Sequence, residues 1–434
     1  MSSTKANLMG AIPVGDRSQL HLETSRGQVG PSWSLFVAGD CCLDPSGAAG
    51  RQLLAPELER RVATATLSVV NLEAPVPVPD AGPIPKSGPA LTTAADTPER
   101  LAANGFDVAT LANNHLFDYG YAGLEATRDA CASDGLSTVG AGEDRASALD
   151  PLRTEVAPDV ELALFSVCER EFGVAGPSTP GTAWSDHPSV DDAIRSAAET
   201  ADCVVVVAHG GVEYVPFSPP GRRERLRQFV DAGADLVVGH HPHVAQGWEQ
   251  CDGGIVFHSL GNFLFDRQAD GETTGWGLSV KVRFAGASPT AVELVPTEVD
   301  QGTVTDLGEN RSRADHLEYL HRLAACTADD DRFPAYWQDV AVRLFHERYW
   351  NWLQTDLDEA RLHEIDRLTG SPEPVAAGDA DGLPALLALL NVVRNESHRD
   401  VVTTALAVMT GEASDHRTRS TEATVDELLS WTAR

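Results

Sequence analysis

The sequence predicts an α/β fold with an α-helical extension, on three observations. Six short apolar runs each end in residues able to hold a metal ion. Between Trp33 and about Asp300, strand-like runs alternate with helical segments, and beyond about Thr303 helical periodicity takes over. An apolar run of roughly four to eight residues is the mark of a buried strand. In α/β folds, ligands gather beyond the carboxyl ends of such strands.

Taken in order, residues 1–32 are polar and read as a flexible leader. Leu35-Phe36-Val37 runs into Gly39-Asp40, and Leu67 to Val70 runs into Asn71-Leu72-Glu73. Residues 75–89, rich in Pro and Gly, form a loop that carries Lys86. Residues 98–105 are a short helix closed by Gly105, and Val108 to Ala112 then leads to Asn113-Asn114-His115. A helix over 122–135 has Leu124 and Cys131 on one face. Cys203 to Ala208 leads to His209-Gly210-Gly211, and a helix over 222–233 follows, with Leu226, Phe229 and Val230 at helical spacing. Leu236-Val237-Val238 ends at Gly239-His240-His241-Pro242-His243, and Ile255-Val256-Phe257 continues into His258 and on to Asn262-Phe263. Residues 277–295 alternate apolar and polar and read as an antiparallel strand pair.

The α/β domain is therefore expected over 33–302 and the helical extension over 303–434. In the extension, helices are predicted at 315–326, 335–353, 383–395 and 400–409, with a Pro/Gly linker over 370–382. Trp337, Ala341, Leu344, Phe345 and Tyr349 form a stripe at 3.6 spacing that reads as core packing. No chemical motif is visible there, so the extension is expected to be attached but chemically silent.

Bulk properties narrow the function. The chain of 434 residues is long enough for more than one domain. Its 33 basic and 64 acidic residues give a formal charge of −31, which excludes the positive stripe a nucleic-acid surface needs. Lys5, Lys86 and Lys281 are the only lysines. An acidic chain so poor in lysine points to a halophile with a high-salt cytoplasm. The seven cysteines are scattered without a CxxC pair, as in a reduced cytoplasmic protein. No apolar stretch reaches the length of a signal or membrane segment.

As chemistry, Asp40 and Glu73 offer carboxylate oxygens, Asn114 a neutral oxygen, and His209, His241 and His243 nitrogens, with His240 as an alternative in the histidine loop. Such a mixture suits one or two divalent ions, Mn, Fe or Zn, rather than the all-oxygen shell of Ca. A carboxylate between nitrogen ligands would build a two-metal site of the kind that activates a water at a phosphoryl centre. His115, beside Asn114, would be free to protonate a leaving oxygen.

The segments GDCCLD, NLEAPV, LANNHLFDYG, HGGVEY, GHHPHV and SLGNFLFD, in this order over roughly residues 33–270, resemble the signature of CapA-type proteins. That group, concerned with capsule or poly-γ-glutamate biosynthesis, lies in the calcineurin-like metallophosphoesterase superfamily. The resemblance implies a four-layer α/β/β/α sandwich with a metal centre at one end of two central sheets. It makes Asp40 the first-motif ligand, Glu73 the bridging carboxylate, and Asn114-His115 the pair of ligand and catalytic acid. It makes His209 the lone histidine ligand and His241 with His243 the His-x-His pair. Glu213, Tyr214 and Asn262 resemble further pocket residues. Cys42 stands where the wider superfamily has a histidine, as is usual in the CapA group.

The expected function is a metal-dependent hydrolase of a small phosphoester or related acidic substrate, associated with capsule or poly-γ-glutamate synthesis. Two other readings compete. One is a non-catalytic, polymer-binding accessory subunit working with capsule or polyglutamate synthesis proteins. The other is a metal-dependent hydrolase of a γ-glutamyl polymer. Lys86 is a candidate anion-binding group because lysine is so rare here. Asp118 reads as loop-shaping, and His258 as a core histidine.

Overall fold

The apolar runs become the strands of two sheets in a computed structural model that describes residues 16–22, 30–45, 52–251, 253–266, 275–308, 311–353 and 383–432. In the first sheet, strands Ser32–Cys42, Leu67–Leu72, Val108–Thr110 and Ser137–Val139 lie parallel, each beside the next. The expected antiparallel pair is Trp276–Ala285 with Ser288–Asp300, and it joins the far side of Ser32–Cys42. Strand Asn262–Phe265 pairs with the last residues of Ser32–Cys42, setting Asn262 opposite Asp40. In the second sheet, Val160–Cys168, Cys203–His209, Leu236–His240 and Gly254–Phe257 run parallel, flanked by antiparallel Leu152–Ala157 and Trp248–Cys251.

Side chains alternate across a strand, and both faces of these strands are covered. Cys203, Val205 and Val207 join Leu35, Val37, Val69 and Val108 in the core between the sheets. Val204, Val206 and Ala208 face the other way, under helices Ser189–Thr200 and Pro220–Asp231. Phe36, Ala38 and Val70 likewise lie under helices Pro56–Ala63, Thr97–Ala103 and Gly120–Ser133. The layers are therefore α/β/β/α. Strands buried on both faces read as continuous apolar runs rather than as alternation.

The leader and the boundary differ from expectation. Gln19–His21 is a strand paired with Ser288–Asp300, so this part of the leader belongs to the first sheet; residues 1–15 and 23–29 lie outside the described residues. The sheet also continues past 302, because Thr303–Asp306 pairs with the end of Ser288–Asp300.

The extension is helical, with helices Arg311–Thr327, Phe333–Leu344, Trp350–Leu353, Leu383–Arg394 and Glu396–Thr410. A further helix, Arg419–Thr432, was hidden in the sequence by its few apolar positions, of which Val425 and Leu428 are buried. The linker expected at 370–382 lies outside the described residues. Trp337, Ala341, Leu344, Phe345 and Tyr349 are all buried, in a core continuous with the one between the sheets. Among the described residues, no helix is long and apolar enough to cross a membrane.

Candidate metal centre

Two glycines let the ligand-bearing segments meet. A Cβ on Gly39 would lie 2.1 Å from the Gly261 carbonyl oxygen, and one on Gly239 would lie 2.0 Å from that of His258. Only glycine tolerates such approaches, and the next residues are Asp40 and His240. The carboxyl ends of both sets of parallel strands thereby converge.

At that end, one ligand atom each from Glu73, His209 and His241 lie within 4.8 Å of one another, as do those of Asp40, Glu73 and His243. Glu73 is common to both groups. His209 Nε2 is 3.7 Å and His243 Nε2 3.8 Å from Glu73 Oε1. His209 Nε2 also lies 3.0 Å from Asn114 Oδ1 and 3.1 Å from His241 Nδ1.

The two carboxylates are treated very differently. Asp40 accepts hydrogen bonds from Asn71 Nδ2 at 2.8 Å, His240 Nδ1 at 2.8 Å and the His241 backbone N–H at 3.0 Å. Burial works against its charge, yet His240 and the other partners outweigh it and hold the carboxyl below its usual range. Glu73 is fully buried, and neither of its oxygens has a hydrogen-bond partner among the described residues. Burial, then Asp40, Glu213 and Glu171, push its carboxyl well above the usual range. Burial and the neighbouring imidazoles push His209 well down, and burial brings His241 down to about 3. Neutral imidazoles around a bare carboxylate are incomplete without a cation, because an unpaired buried charge is costly. They are also in the protonation state a metal requires. The donor set therefore fits a divalent ion.

The histidine doublet is resolved by geometry. His240 ends its strand and turns to Asp40, and it belongs to neither ligand group. His241 and His243 adopt φ of 97° and 57°, a left-handed backbone uncommon in residues other than glycine and concentrated at functional sites. His243 Nδ1 lies 2.8 Å from Asn262 Oδ1, and Tyr214 stacks on its ring at 5.8 Å.

His115 also lies outside both groups. Its Nδ1 is 2.8 Å from Asp118 Oδ2, so that carboxylate accepts the Nδ1 proton and leaves Nε2 as the working nitrogen. Burial and then Lys86 lower the basicity of His115, against the opposing pull of Asp118. Asp118 is thus more than loop-shaping: it holds His115, pairs with the Lys86 ammonium and accepts from the Leu91 backbone. Lys86 Nζ is 3.3 Å from His115 Nδ1, which places the rare lysine beside His115 with Asp118 as its counter-ion. His258 is turned away, onto Glu249 in a buried cluster with Arg223.

Several residues at the site were missed. Asn71 bridges Asp40 and His209, and Asn113 braces the His115 loop through its Oδ1. Glu171 hydrogen-bonds Asn114 and is pushed up to about 7, chiefly by burial. Its signal was available, since Leu162 to Val167 is an apolar run ending at Cys168-Glu169-Arg170-Glu171. The extension also reaches residues around the site. A π-helical turn, Phe345–Tyr349, brings Arg348 Nη1 to 3.9 Å from Glu213 Oε2, and Tyr349 Oη shares a hydrogen bond with His398 Nδ1 at 2.6 Å. Single π turns often mark functional sites.

Residues 34–267 match the family described as bacterial capsule synthesis protein PGA_cap, and the chain belongs to that family. It is 36% identical over 179 residues to the PGA biosynthesis protein CapA of Bacillus subtilis, covering 41% of this chain and 47% of that one. Against the capsule biosynthesis protein CapA of Bacillus anthracis it is 31% identical over 224 residues, 49% of this chain and 53% of that one. A Mycobacterium tuberculosis protein named "Probable polyglutamine synthesis accessory protein" is 28% identical over 215 residues, 45% of this chain and 56% of that one. The chain spans about half the length of the curated relatives it matches.

Proposed function

We propose that this member of the capsule-synthesis family is a metal-dependent hydrolase of a phosphoester or related acidic substrate, working in capsule or poly-γ-glutamate synthesis. One observation carries the reading. Glu73 is a buried carboxylate with both oxygens unpartnered, shared between two sets of potential ligands.

Asp40, Glu73, Asn114, His209, His241 and His243 would hold one or two ions of Mn, Fe or Zn. When bound, these would activate a water and steady the charge that develops on the oxygens of the reacting centre. The chain's own residues supply the rest. Asn71 and His240 fix Asp40, while Asn262 and Tyr214 fix His243. Asp118 fixes the His115 tautomer, so that Nε2 can hand a proton to the leaving oxygen. Lys86 and Asp118 neutralise one another beside it.

A metal analysis of the purified chain, then a phosphodiesterase assay with Mn, tests the reading. Both belong in molar potassium chloride, because a net charge of −31 is self-repelling at low salt. Bound metal with phosphodiester cleavage supports it, and a chain that retains no metal overturns it. A second reading, a non-catalytic accessory subunit, is favoured by the accessory role in the mycobacterial relative's name. It would appear as metal held without turnover. Cleavage of a γ-glutamyl polymer alone would favour the third reading.

A further inference from the structure

A cleft of about 390 Å³ lies between helix Pro220–Asp231 of the sandwich and helix Glu396–Thr410 of the extension, and none of the candidate ligands lines it. Four of its nine lining residues lie outside the residues that match the family.

Arg222, in this wall, is only 3% exposed. Its Nη2 donates to the Ala208 carbonyl at 2.7 Å, but Nε and Nη1 are buried without a hydrogen-bond partner among the described residues. The nearest carboxylate oxygen, Glu169 Oε1, is 3.7 Å from Nε, too far for a hydrogen bond. That oxygen is already engaged by the Ser397 hydroxyl at 2.7 Å, and Glu169 Oε2 is buried with no partner. The other charges in the wall are better occupied. Arg225 is tied to Asp186 and Asp191, and Arg399 Nη1 donates to the Val393 carbonyl at 3.4 Å. Glu396 accepts from the Trp184 indole and the Arg170 backbone, and Asp400 accepts from the Gly221 N–H at 2.8 Å.

What is unmet, then, is a pair of guanidinium donors and a carboxylate oxygen side by side. A simple anion would face Glu169, Glu396 and Asp400. A simple cation would leave Arg222 bare. A small solute carrying both charges a few ångströms apart answers both demands, since unpaired buried donors and charges are costly.

We propose that this cleft binds the zwitterionic head of a free α-amino acid, with its carboxylate on Arg222 and its ammonium on Glu169 and Asp400. The cleft floor adjoins the metal-ligand strand, since Arg222 bonds Ala208 and the Glu169 N–H donates to the His209 carbonyl at 2.9 Å.

Calorimetric titration of the full-length chain with the standard amino acids tests this without any reference to hydrolysis. At least one should bind saturably with a Kd of about 1 mM or tighter, and its N-acetyl and amide derivatives should each bind at least about tenfold more weakly. Thr403→Trp, at an exposed position of the wall, fills the cleft without removing a buried partner. It should abolish binding and leave the melting temperature unchanged. Arg222→Gln should abolish binding as well. The proposal fails if no amino acid binds, if the N-acetyl derivative binds as well as its parent, or if Thr403→Trp binds like the wild type.

Discussion

The first sheet brings oxygen to the candidate centre, through Asp40, Glu73 and Asn114, and the second brings nitrogen, through His209, His241 and His243. The two halves are also supported differently. The oxygen half is braced largely from within the site, Asp40 by Asn71, His240 and a backbone N–H, while Glu73 is left bare. The nitrogen half is braced within the site too, His243 by Asn262 and His209 by Asn71, and in addition from outside. Its neighbour Glu213 meets Arg348 of the extension, and Glu169 meets Ser397. The contrast separates a residue whose charge no protein group satisfies from residues whose position the fold already satisfies. Mutations in the two sets should fail in different ways.

Glu73→Gln should have the largest effect. Metal affinity should fall by more than the roughly 10–100-fold that outer partners of a ligand cost, and turnover should disappear with it. The metal-free protein, however, should melt at a higher temperature than metal-free wild type. Burial and the neighbouring carboxylates disfavour the Glu73 charge, and the amide removes it. Elemental analysis beside a thermal melt reads both signs. A destabilised metal-free variant would mean that Glu73 has a protein partner after all.

His115→Ala should leave the metal content intact and lower turnover by roughly 10²–10⁴. His209→Ala should lower both, because a nitrogen of the ligand groups has gone. If His115→Ala strips the metal, the residue belongs with the ligands. If hydrolysis continues at the wild-type rate, it is not the proton donor.

Much of this arrangement was legible in the sequence for one physical reason. Strands buried on both faces leave continuous apolar runs, and parallel strands point their carboxyl ends the same way. Hence Asp40, Glu73, His209, His241 and His243 could be expected together from residues far apart in the chain. The sequence leaves His240 open as an alternative to His241, because the choice depends on the left-handed backbone at His241 and His243. Asn71 reads in the sequence only as part of a motif, since its value lies in spanning Asp40 and His209 across the two sheets. Arg348 and His398 carry no local signal. They reach Glu213 only through a π-helical turn and the docking of a separate helix.

His240→Ala should produce an intermediate effect. His240 bonds Asp40 without joining either ligand group, so its loss should weaken metal binding by roughly 10–100-fold while the remaining bound enzyme turns over normally. Titration with Mn, reading activity against free metal, should give a shifted midpoint and an unchanged plateau. A lowered plateau at saturating metal would promote His240 to a ligand.

The smallest expected effect tests the external bracing of the nitrogen half. Tyr349→Phe removes one buried hydrogen bond, to His398 Nδ1, and should cost about 1 kcal/mol at neutral pH. His398 is pushed down to about 4, first by burial, with Arg348 adding to it and Glu213 opposing. Its unfolded value is near 6.5, so the folded state favours the neutral ring. That contribution is complete above about pH 6.5 and is lost as the pH falls toward 4. With the hydroxyl as donor to the neutral ring, its loss should raise the folded value and make the acid-side loss shallower. The gap between variant and wild type should therefore narrow between about pH 6 and pH 4 in chemical denaturation. A gap that stays constant over that range would show that the acid sensitivity arises elsewhere, and that the hydroxyl contributes packing alone.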